Sequence, residues 1–381
     1  MKFSSKNLKN IGTELKHIID REKNFHHVKP THALLFITYR CTSRCKICTI
    51  WKRSKEVDRR EELTLDQWIS VIDMLSKLGI SIIEFFGGDA LLRKDILIPL
   101  IKYAHSKSFF IELPTNSNLL DGNTAIDLAN SGLDVVWLSL DGIGDKHDSI
   151  RGIKGTFENV HRAVLELRKA KGSKKKPKIC INCVVLKSNL NSFEQIIPYA
   201  QKMGIDSIDF EYVGEIPSHS IKKSKIDGLM PKPFFVSQSE SVLLNREEAI
   251  HLKEKLDVIR KSPNIDGMRV NTGKIDFLTI ENLVRGQFPN KRCYICRDIV
   301  TIDPYGNVMG CLHFNNYYLG NIKIQPLRSI WENNKHIKFL NSQKKGDIDI
   351  CKYCSNGVLR NYTPTQSLRN FYYEITRKAR H

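Results

Sequence analysis

The residues of this chain best suited to metal chemistry are its cysteines, which number ten and fall into groups. Cys41, Cys45 and Cys48 form a CxxxCxxC pattern within one short stretch. Three thiolates on one loop can hold three irons of a 4Fe-4S cluster, whereas the usual ligation needs one more thiol. No further cysteine is nearby in the sequence, and an open coordination position is where a metal site does chemistry. A zinc site is the alternative, but zinc in structural sites prefers four closed ligands.

A second group of cysteines surrounds a predicted hairpin near the C-terminal end. Residues 299–302 and 308–312 read as strands, and Gly306 between them supplies the positive φ that a tight turn needs. This turn brings the flanking thiols to one end of the hairpin. Four thiols suffice for one complete cluster, and a zinc ribbon is the competing interpretation of this region taken alone. The five thiols of this group are Cys293, Cys296, Cys311, Cys351 and Cys354.

Cys180 and Cys183 lie in a predicted strand, residues 178–186. Residues three apart on a strand point to opposite faces, so these thiols should not share a metal. Because buried cysteine usually behaves as a small hydrophobic residue, we predict that both belong to the core.

The elements that must position these groups alternate between short apolar runs and amphipathic stretches. Such alternation predicts βα units around a parallel sheet, and six units favour an open barrel over a closed eightfold one. The predicted fold class is α/β, a partial (β/α)6 barrel of the TIM type followed by a small α+β cluster-binding domain. Active sites of βα folds lie at the carboxyl ends of the strands, where Cys41 follows the first strand. The strands are predicted at 33–38, 81–86, 109–113, 134–140, 178–186 and 207–213, and helices at 65–78, 95–105, 123–130, 157–169, 192–203 and 246–260.

The length of 381 residues and a hydrophobic content of 41% allow a sizeable core and give a prior of roughly two domains. Residues 214–245 contain three prolines and read as an excursion or lid loop, and a helix is predicted near 327–340. The predicted parts are a basic amphipathic helix in 1–30, the barrel in 31–262, the cluster-binding domain in 263–360 and a second basic helix in 361–381.

Taken in order, these motifs resemble those of the radical SAM superfamily, whose CxxxCxxC loop binds a cluster that reductively cleaves S-adenosylmethionine. Further segments at the strand ends are similar to motifs of that family. These are FFGGDALL at 85–92, TNS at 115–117, SLDG at 139–142 and HDSIRG at 147–152.

The resemblance implies roles for individual residues toward S-adenosylmethionine. Gly87, Gly88 and Asp89 stand where the family carries GGE and contacts the methionine amino group, with Asp in place of the usual Glu. Asn116 belongs to the family's TNG turn and is counted among the cofactor-binding residues. Ser139 is expected to face the ribose or carboxylate, and Arg151 to pair with the carboxylate, to which arginine presents a planar fork.

The second group of cysteines resembles the opening of the SPASM and twitch domains, which carry auxiliary iron-sulfur clusters. The resemblance implies one auxiliary 4Fe-4S cluster, with Cys311, Cys351 and Cys354 as ligands and Cys296 as the fourth. Cys293-x₂-Cys296-x₁₄-Cys311 also resembles the three-cysteine site of the molybdopterin-precursor cyclases, so Cys293 could replace Cys296 or one of the late pair.

The formal net charge of +19 produces a field that favours acidic partners. The candidates are an acidic low-potential electron donor such as a flavodoxin or ferredoxin, an anionic substrate, or a membrane surface reached by the terminal helices. Nucleic acid is disfavoured because no binding motif is recognised. The sequence shows neither an apolar run of ~18 residues nor a signal peptide. We therefore expect a cytoplasmic protein whose thiols form no disulfides.

The sequence thus predicts a radical SAM enzyme, an oxidoreductase with two 4Fe-4S clusters and S-adenosylmethionine. A 5′-deoxyadenosyl radical would abstract hydrogen from a small metabolite, a carbohydrate or a lipid-linked molecule, with a weak preference for an anionic one. A peptide-modifying maturase is the alternative within the family. A zinc or iron-sulfur protein that binds nucleic acid is the alternative from another class.

Overall fold

A computed structural model of the protein describes residues 29–55, 61–234, 242–261, 267–288 and 293–355, together with the single residues 16 and 19. Most of the predicted N-terminal helix and all of the predicted C-terminal helix, with the membrane contact proposed for them, lie outside these residues. None of the helices described is both long and apolar enough to cross a membrane.

Ten strands of the described residues form one sheet in the order β10-β9-β8-β1-β2-β3-β4-β5-β6-β7. Strands β1 to β7 run parallel in sequence order, β8 pairs with β1 in parallel, and β8, β9 and β10 are antiparallel. The strands are β1 His32–Phe36, β2 Ile82–Phe86, β3 Phe110–Thr115, β4 Val135–Ser139, β5 Lys178–Val185, β6 Ser207–Tyr212, β7 Arg269–Asn271, β8 Ile299–Ile302, β9 Asn307–Met309 and β10 Tyr318–Asn321.

Most strands of the parallel part are followed by a helix, as βα units require. The first helix begins after Thr64, whose hydroxyl accepts from the N–H of Gln67 in a capping box. The helices are α1 Leu65–Lys77, α2 Lys94–Ser106, α3 Gly122–Ala129, α4 Asp145–Arg151, α5 Thr156–Lys171, α6 Ile196–Met203, α7 Ser218–Lys223, α8 Arg246–Lys261, α9 Gly273–Asp276, α10 Ile280–Arg285, α11 Ile295–Asp298, α12 Leu327–Ile330 and α13 Asn334–Lys345.

The two faces of β1 contribute to different parts of the core. Ala33 and Leu35 belong to the main apolar cluster, which includes the helix residues Trp68 and Val71. Leu34 and its neighbour Phe36 pack instead with Met309 and Leu312 of the C-terminal hairpin. Strand β1 therefore links the helical layer to the hairpin.

The six predicted strands and the α/β class with a parallel sheet are confirmed. The structure adds β7, which extends the sheet beyond β6, and β10. The single helix predicted near 327–340 is wrong: α12 and α13 are separate because Glu332 has φ of 68° and Asn333 caps α13. The predicted excursion at 214–245 contains the short helix α7. The domain boundaries stay predictions, and β8 of the C-terminal region shares the sheet with β1.

Candidate active site

Cys41, Cys45 and Cys48 lie on one loop that leaves the carboxyl end of β1, as predicted. Cys45 is 7% exposed, and the other two thiols are half-buried. All three side chains line the same cavity, which has a volume of about 500 Å³. We call residues 41–48 the cluster loop.

The cluster loop is held by a neighbouring segment of backbone. The N–H of Arg44 donates to the carbonyl of Arg151 at 3.0 Å, and the N–H of Lys46 donates to the carbonyl of Ile150 at 3.1 Å. Both acceptors lie at the end of α4. The end of α4 therefore fixes the loop by two backbone hydrogen bonds.

Gly87 and Gly88 let a second segment of backbone lie against residues 38–40. The N–H of Gly88 donates to the carbonyl of Thr38 at 2.9 Å. A Cβ on Gly88 would lie 2.2 Å from the carbonyl oxygen of Arg40, and one on Gly87 2.4 Å from that of Thr38. Gly87 also has φ of 146°. The two glycines are therefore needed for close approach to the residues that lead into the cluster loop, and both line the cavity.

Asp89 forms a hydrogen bond with a residue of the cluster loop. Its Oδ2 accepts from the hydroxyl of Thr42 at 2.5 Å, and its Oδ1 accepts from the N–H of Leu91 at 3.2 Å. Burial raises the pKa of this carboxyl, and the bond from Thr42 opposes that shift. Asp89 is not one of the described residues that line the cavity. Its contact with the methionine amino group stays a prediction.

Asn116 and Asn118 continue the polar network around Thr42. Nδ2 of Asn116 donates to Oγ1 of Thr42 at 3.0 Å, and Nδ2 of Asn118 donates to the same oxygen at 3.1 Å. Asn118 also donates to Oγ of Ser43 at 3.2 Å, and it accepts from Asn159 at 3.1 Å. Thr42 and Asn118 were not predicted from the sequence. The only signal was a run of polar residues, Thr115 to Asn118, directly after an apolar strand.

Arg151 is buried beside the thiols and paired with Asp141. Its Nη2 lies 2.8 Å from Oδ2 of Asp141, and its Nη1 lies 3.8 Å from Sγ of Cys45. Burial raises the pKa of Asp141, and the positive charge of Arg151 partly offsets that rise. Nε of Arg151 is buried and has no hydrogen-bond partner among the described residues. Of the three guanidinium nitrogens, Nη2 thus pairs with Asp141, Nη1 contacts Cys45, and Nε is the one without a partner among the described residues.

His147 fixes the turn that carries Asp141. Its Nδ1 accepts from the N–H of Asp141 at 3.0 Å, so the ring proton is on Nε2. Burial lowers the pKa of His147 to about 3, which keeps the ring neutral. The histidine of the HDSIRG segment therefore acts here as a neutral acceptor that positions the partner of Arg151.

The cavity extends from the cluster loop to the second group of cysteines. At one end it is lined by the three thiols together with Ser139 and Arg151, and at the other by Tyr353 and Cys354. The predicted residues that meet in it are Gly87, Gly88, Asn116, Ser139 and Arg151. Four carboxylates also line it from inside the barrel, namely Glu84, Glu112, Asp209 and Glu211.

The second group of cysteines surrounds a separate, apolar cavity. All five thiols line it, together with Phe314, Phe339 and Ile350. The thiol of Cys296 donates to the carbonyl of Cys293 at 3.4 Å. The residues Ile295, Leu312, His313 and Cys354 line both cavities and so form the wall between them.

The two sets of thiols fit iron-sulfur clusters in chemistry and environment. Burial raises the pKa of Cys41 to about 11 and that of Cys48 to about 12, so metal binding must displace the thiol protons. In the part of the chain that the structure describes, no three His, Cys, Asp or Glu side chains converge tightly enough to hold a single metal ion.

Cys180 and Cys183 take no part in either set. Both are buried in β5, at 3% and 0% exposure, and pack within the sheet. Their prediction as core residues is confirmed.

Comparison with family models divides the chain at the same places as the two groups of cysteines. The model of the Radical SAM superfamily matches residues 35–200, and that of an iron-sulfur cluster-binding domain, SPASM, matches residues 293–355. The first match contains the end of β1, the cluster loop and the strands β2 to β5, and the second contains all five C-terminal thiols.

Relatives with characterised activities include two kinds of enzyme. The PqqA peptide cyclase of Bradyrhizobium diazoefficiens is 29% identical over 243 residues, which is 63% of this chain and 60% of that protein. The AdoMet-dependent heme synthase of Methanosarcina barkeri is 24% identical over 348 residues, 88% of this chain and 94% of that enzyme. This chain therefore spans less than two thirds of the peptide cyclase but almost all of the heme synthase.

The fold is also found in solved structures. SuiB of Streptococcus suis bound to S-adenosylmethionine has a TM-score of 0.61 at 15% identity, covering 95% of this chain and 81% of SuiB. The same protein has been solved bound to its precursor peptide SuiA. At this identity the likeness concerns the fold alone.

Proposed function

We propose that this protein, which belongs to the radical SAM superfamily of enzymes and carries a C-terminal SPASM domain, modifies a side chain of a peptide. The reaction takes place in the cavity that joins its two groups of cysteines. The observation that carries the proposal is the lining of that cavity, which includes Cys41, Cys45 and Cys48 at one end and Cys354 at the other. A substrate in this cavity lies between the site where a radical forms and a site that can accept an electron.

The cofactors are 4Fe-4S clusters and S-adenosylmethionine. A reduced cluster bound to the cluster loop would supply the electron for reductive cleavage of S-adenosylmethionine, the radical chemistry of the superfamily. Cys41, Cys45 and Cys48 hold this cluster. Cys311, Cys351 and Cys354 hold the auxiliary cluster, and Cys296 is its fourth ligand, while Cys293 remains the alternative. These ligand sets rest on spacing and on the shared cavities.

The chain itself binds and orients S-adenosylmethionine. Arg151 presents its Nε–H to the carboxylate, and Asp141 and His147 keep the guanidinium in place. Gly87 and Gly88 keep the wall of the cavity free of side chains, and Ser139 adds a hydroxyl at the end of β4. Asp89 and Asn116 act on the cluster loop through Thr42.

The size and charge of the cavity support a peptide over the small anionic metabolite favoured by net charge. About 500 Å³ is within the range of single small-molecule sites, so a peptide would enter the cavity by one side chain. The four carboxylates in the lining disfavour an anionic group. Among the relatives, the PqqA peptide cyclase acts on a peptide by its name.

A tetrapyrrole is a second candidate because the match with the heme synthase covers 88% of this chain. Such a substrate would reach the cavity by one peripheral group. The experiment below separates it from a peptide.

The test begins with the protein purified without oxygen and reconstituted with iron and sulfide. We expect roughly eight irons per chain and no zinc. With dithionite and S-adenosylmethionine, the wild type is expected to form 5′-deoxyadenosine, and Cys45→Ala is not. A protein that holds zinc and never cleaves S-adenosylmethionine would contradict the proposal.

The substrate class is tested with the low-molecular-mass fraction of an extract from the source cells. We expect this fraction to increase 5′-deoxyadenosine formation, and the increase to disappear after the fraction is digested with proteinase K. An increase that survives digestion would exclude a peptide. A parallel assay with coproporphyrin III in place of the fraction would then identify a tetrapyrrole.

A further inference from the structure

One lysine-rich segment lies at the amino end of the parallel strands. Residues 168–178 run from the last turn of α5 to Lys178, the first residue of β5. Seven of these eleven residues are Lys or Arg, and none is acidic. Because β5 runs parallel to the strands before it, and the cluster loop leaves the carboxyl end of β1, the segment and the cluster loop lie at opposite ends of the sheet.

Two carboxylates anchor this segment to the ends of neighbouring strands. Lys176 forms an ion pair with Asp134, which directly precedes β4, and the same carboxylate accepts from the N–H of Ile111 in β3 at 2.8 Å. Nζ of Lys171 lies 3.3 Å from Oδ2 of Asp206, which directly precedes β6. The segment is therefore fixed to the sheet through two of its seven cations.

The other five cations of the segment form no ion pair within the described residues. Lysines in the last turn of a helix complement its carbonyl end, which accounts for Lys169 in α5. Lys174, Lys175 and Lys178 lie beyond the helix and are exposed. Lys202, near the end of α6, is exposed at the same end of the sheet. Like charges that are not paired on one surface repel one another and attract an anionic partner.

Exposed apolar side chains border these cations. Leu165 of α5 is 48% exposed, and it lines a cavity of about 380 Å³ together with Lys169. Phe110, the first residue of β3, is 41% exposed and precedes Ile111, which bonds to Asp134. Lysines that attract lipid headgroups, next to apolar groups that enter the interface, are the combination that binds an anionic bilayer.

We infer that this surface docks on an anionic lipid bilayer. We name it the amino-end face and define it by residues 168–178 with Lys202, Phe110 and Leu165. The lipid phosphates neutralise the cations, and the two apolar side chains enter the interfacial region. Bases of a nucleic acid would need aromatic side chains on which to stack, and Phe110 is the only one among the residues that define the face. The inference depends neither on the substrate nor on the proposed reaction.

The test measures how the full chain, reconstituted without oxygen, sediments with lipid vesicles. The vesicles contain phosphatidylcholine with about one third phosphatidylglycerol, and pure phosphatidylcholine serves as the comparison. The first variant is Lys169→Gln, Lys175→Gln and Lys178→Gln. The control loses the same charge at three exposed lysines in or next to α7 and α13, namely Lys222→Gln, Lys225→Gln and Lys345→Gln.

Each lysine near an anionic bilayer contributes roughly 5-fold to the affinity, so the first variant should bind the anionic vesicles about 100-fold more weakly than the wild type. The control should stay within ~5-fold, and high salt should weaken binding of the wild type. A double variant, Phe110→Ser and Leu165→Ser, should bind about 10-fold more weakly at low and at high salt, because it removes apolar contact and no charge.

The formation of 5′-deoxyadenosine with dithionite is measured in the same four proteins. It should be equal in all of them, because none of the changed residues lines the reaction cavity. This activity and vesicle binding are independent measurements, so failure of the proposed function is distinguished from failure of this inference.

Three outcomes would overturn the inference. One is a wild type that binds anionic vesicles no better than pure phosphatidylcholine. Another is equal weakening of vesicle binding in the two triple variants, which would show a response to net charge alone. The third is a first variant that loses affinity for single-stranded polyuridylic acid and keeps its affinity for the vesicles, since the amino-end face would then bind nucleic acid.

Discussion

The cluster loop and the second group of cysteines are both built around thiols, yet their surroundings differ. The cluster loop lies among polar groups. Its residue Thr42 forms hydrogen bonds with Asn116 and Asp89, and Nη1 of Arg151 lies near Sγ of Cys45. The five C-terminal thiols lie among the apolar side chains of Phe314, Phe339 and Ile350. One set lines a cavity of about 500 Å³, and the other lines a cavity of about 20 Å³.

The difference shows how one kind of ligand can serve two tasks. Three thiols with an adjacent cavity and a buried guanidinium leave a metal position and a charge for a ligand to occupy. Four of the five C-terminal thiols would satisfy a cluster completely and leave no metal position open. Such a site suits storage or transfer of an electron, whereas the cluster loop suits bond breaking.

The largest expected effect comes from removing thiols in one region at a time. Cys45→Ala should lower the formation of 5′-deoxyadenosine with dithionite by at least ~10³-fold, because the remaining thiols cannot hold the cluster that cleaves S-adenosylmethionine. The double variant Cys351→Ala, Cys354→Ala should keep this activity within ~10-fold while it loses modified product. Each should retain roughly four irons per chain.

Cys180→Ala is the matched control, because this buried thiol lies outside both sets. It should keep all the iron and both activities. Loss of 5′-deoxyadenosine formation in the double variant, with the iron of the cluster loop still present, would show that the two regions do not have separate tasks.

The second expected effect concerns the backbone in each region. A Cβ on Gly88 would meet the carbonyl of Arg40 at 2.2 Å, whereas one on Gly310 would meet the ring of Phe339 at 3.0 Å. A side chain can yield, but hydrogen-bonded backbone cannot, so Gly88→Ala should lower the free energy of unfolding by about 3 kcal/mol and Gly310→Ala by about 1 kcal/mol. Urea unfolding measures both, and equal costs would contradict the assignment of the tighter backbone to the cluster loop.

The sequence predicted the fold where apolar runs are long enough to be recognised. All six runs taken as strands are strands. Strand β7 was missed because it has only three residues, Arg269–Asn271, and two of them are polar. The break between α12 and α13 was missed because Glu332 adopts a positive φ that its residue type does not announce.

The thiols of the site could be predicted from the sequence, but the residues that hold them in place could not. The spacing of Cys41, Cys45 and Cys48 is local, so the chain alone indicates that they act together. The bond from Asn118 to Thr42 joins residues 76 positions apart, and only the fold brings them together. The pair of Asp141 with Arg151 is local, but two charges ten residues apart have many alternative partners until burial selects one.

A third expected effect is a dependence on pH that arises in the first region. Burial lowers the pKa of His147 from 6.5 to about 3, so the unfolded chain takes up a proton that the native chain does not. This group stabilises the fold above pH 6.5 and loses that contribution as the pH falls toward 3. Between pH 7 and pH 5 its share of the free energy of unfolding should decrease by about 2 kcal/mol. The decrease measured for His147→Gln by urea unfolding should be smaller than that of the wild type by this amount. Parallel curves for the two proteins would show that His147 takes up its proton equally in the native and the unfolded state.

The smallest expected effect tests whether the polar network beneath the cluster loop is specific to that region. Asn118→Ala removes two half-buried hydrogen bonds to the loop, from Asn118 to Thr42 and to Ser43. A loss of about 1 kcal/mol in holding the loop corresponds to roughly 5-fold slower formation of 5′-deoxyadenosine with dithionite. Asn316→Ala is the matched control, since this half-buried amide donates to the carbonyl of Met230 near the second group of cysteines. It should leave the rate unchanged, because dithionite-driven cleavage involves only the cluster loop. Equal slowing of cleavage in both variants would contradict this prediction. It would show that the rigidity of the whole protein aligns the three thiols, and not the network around Thr42.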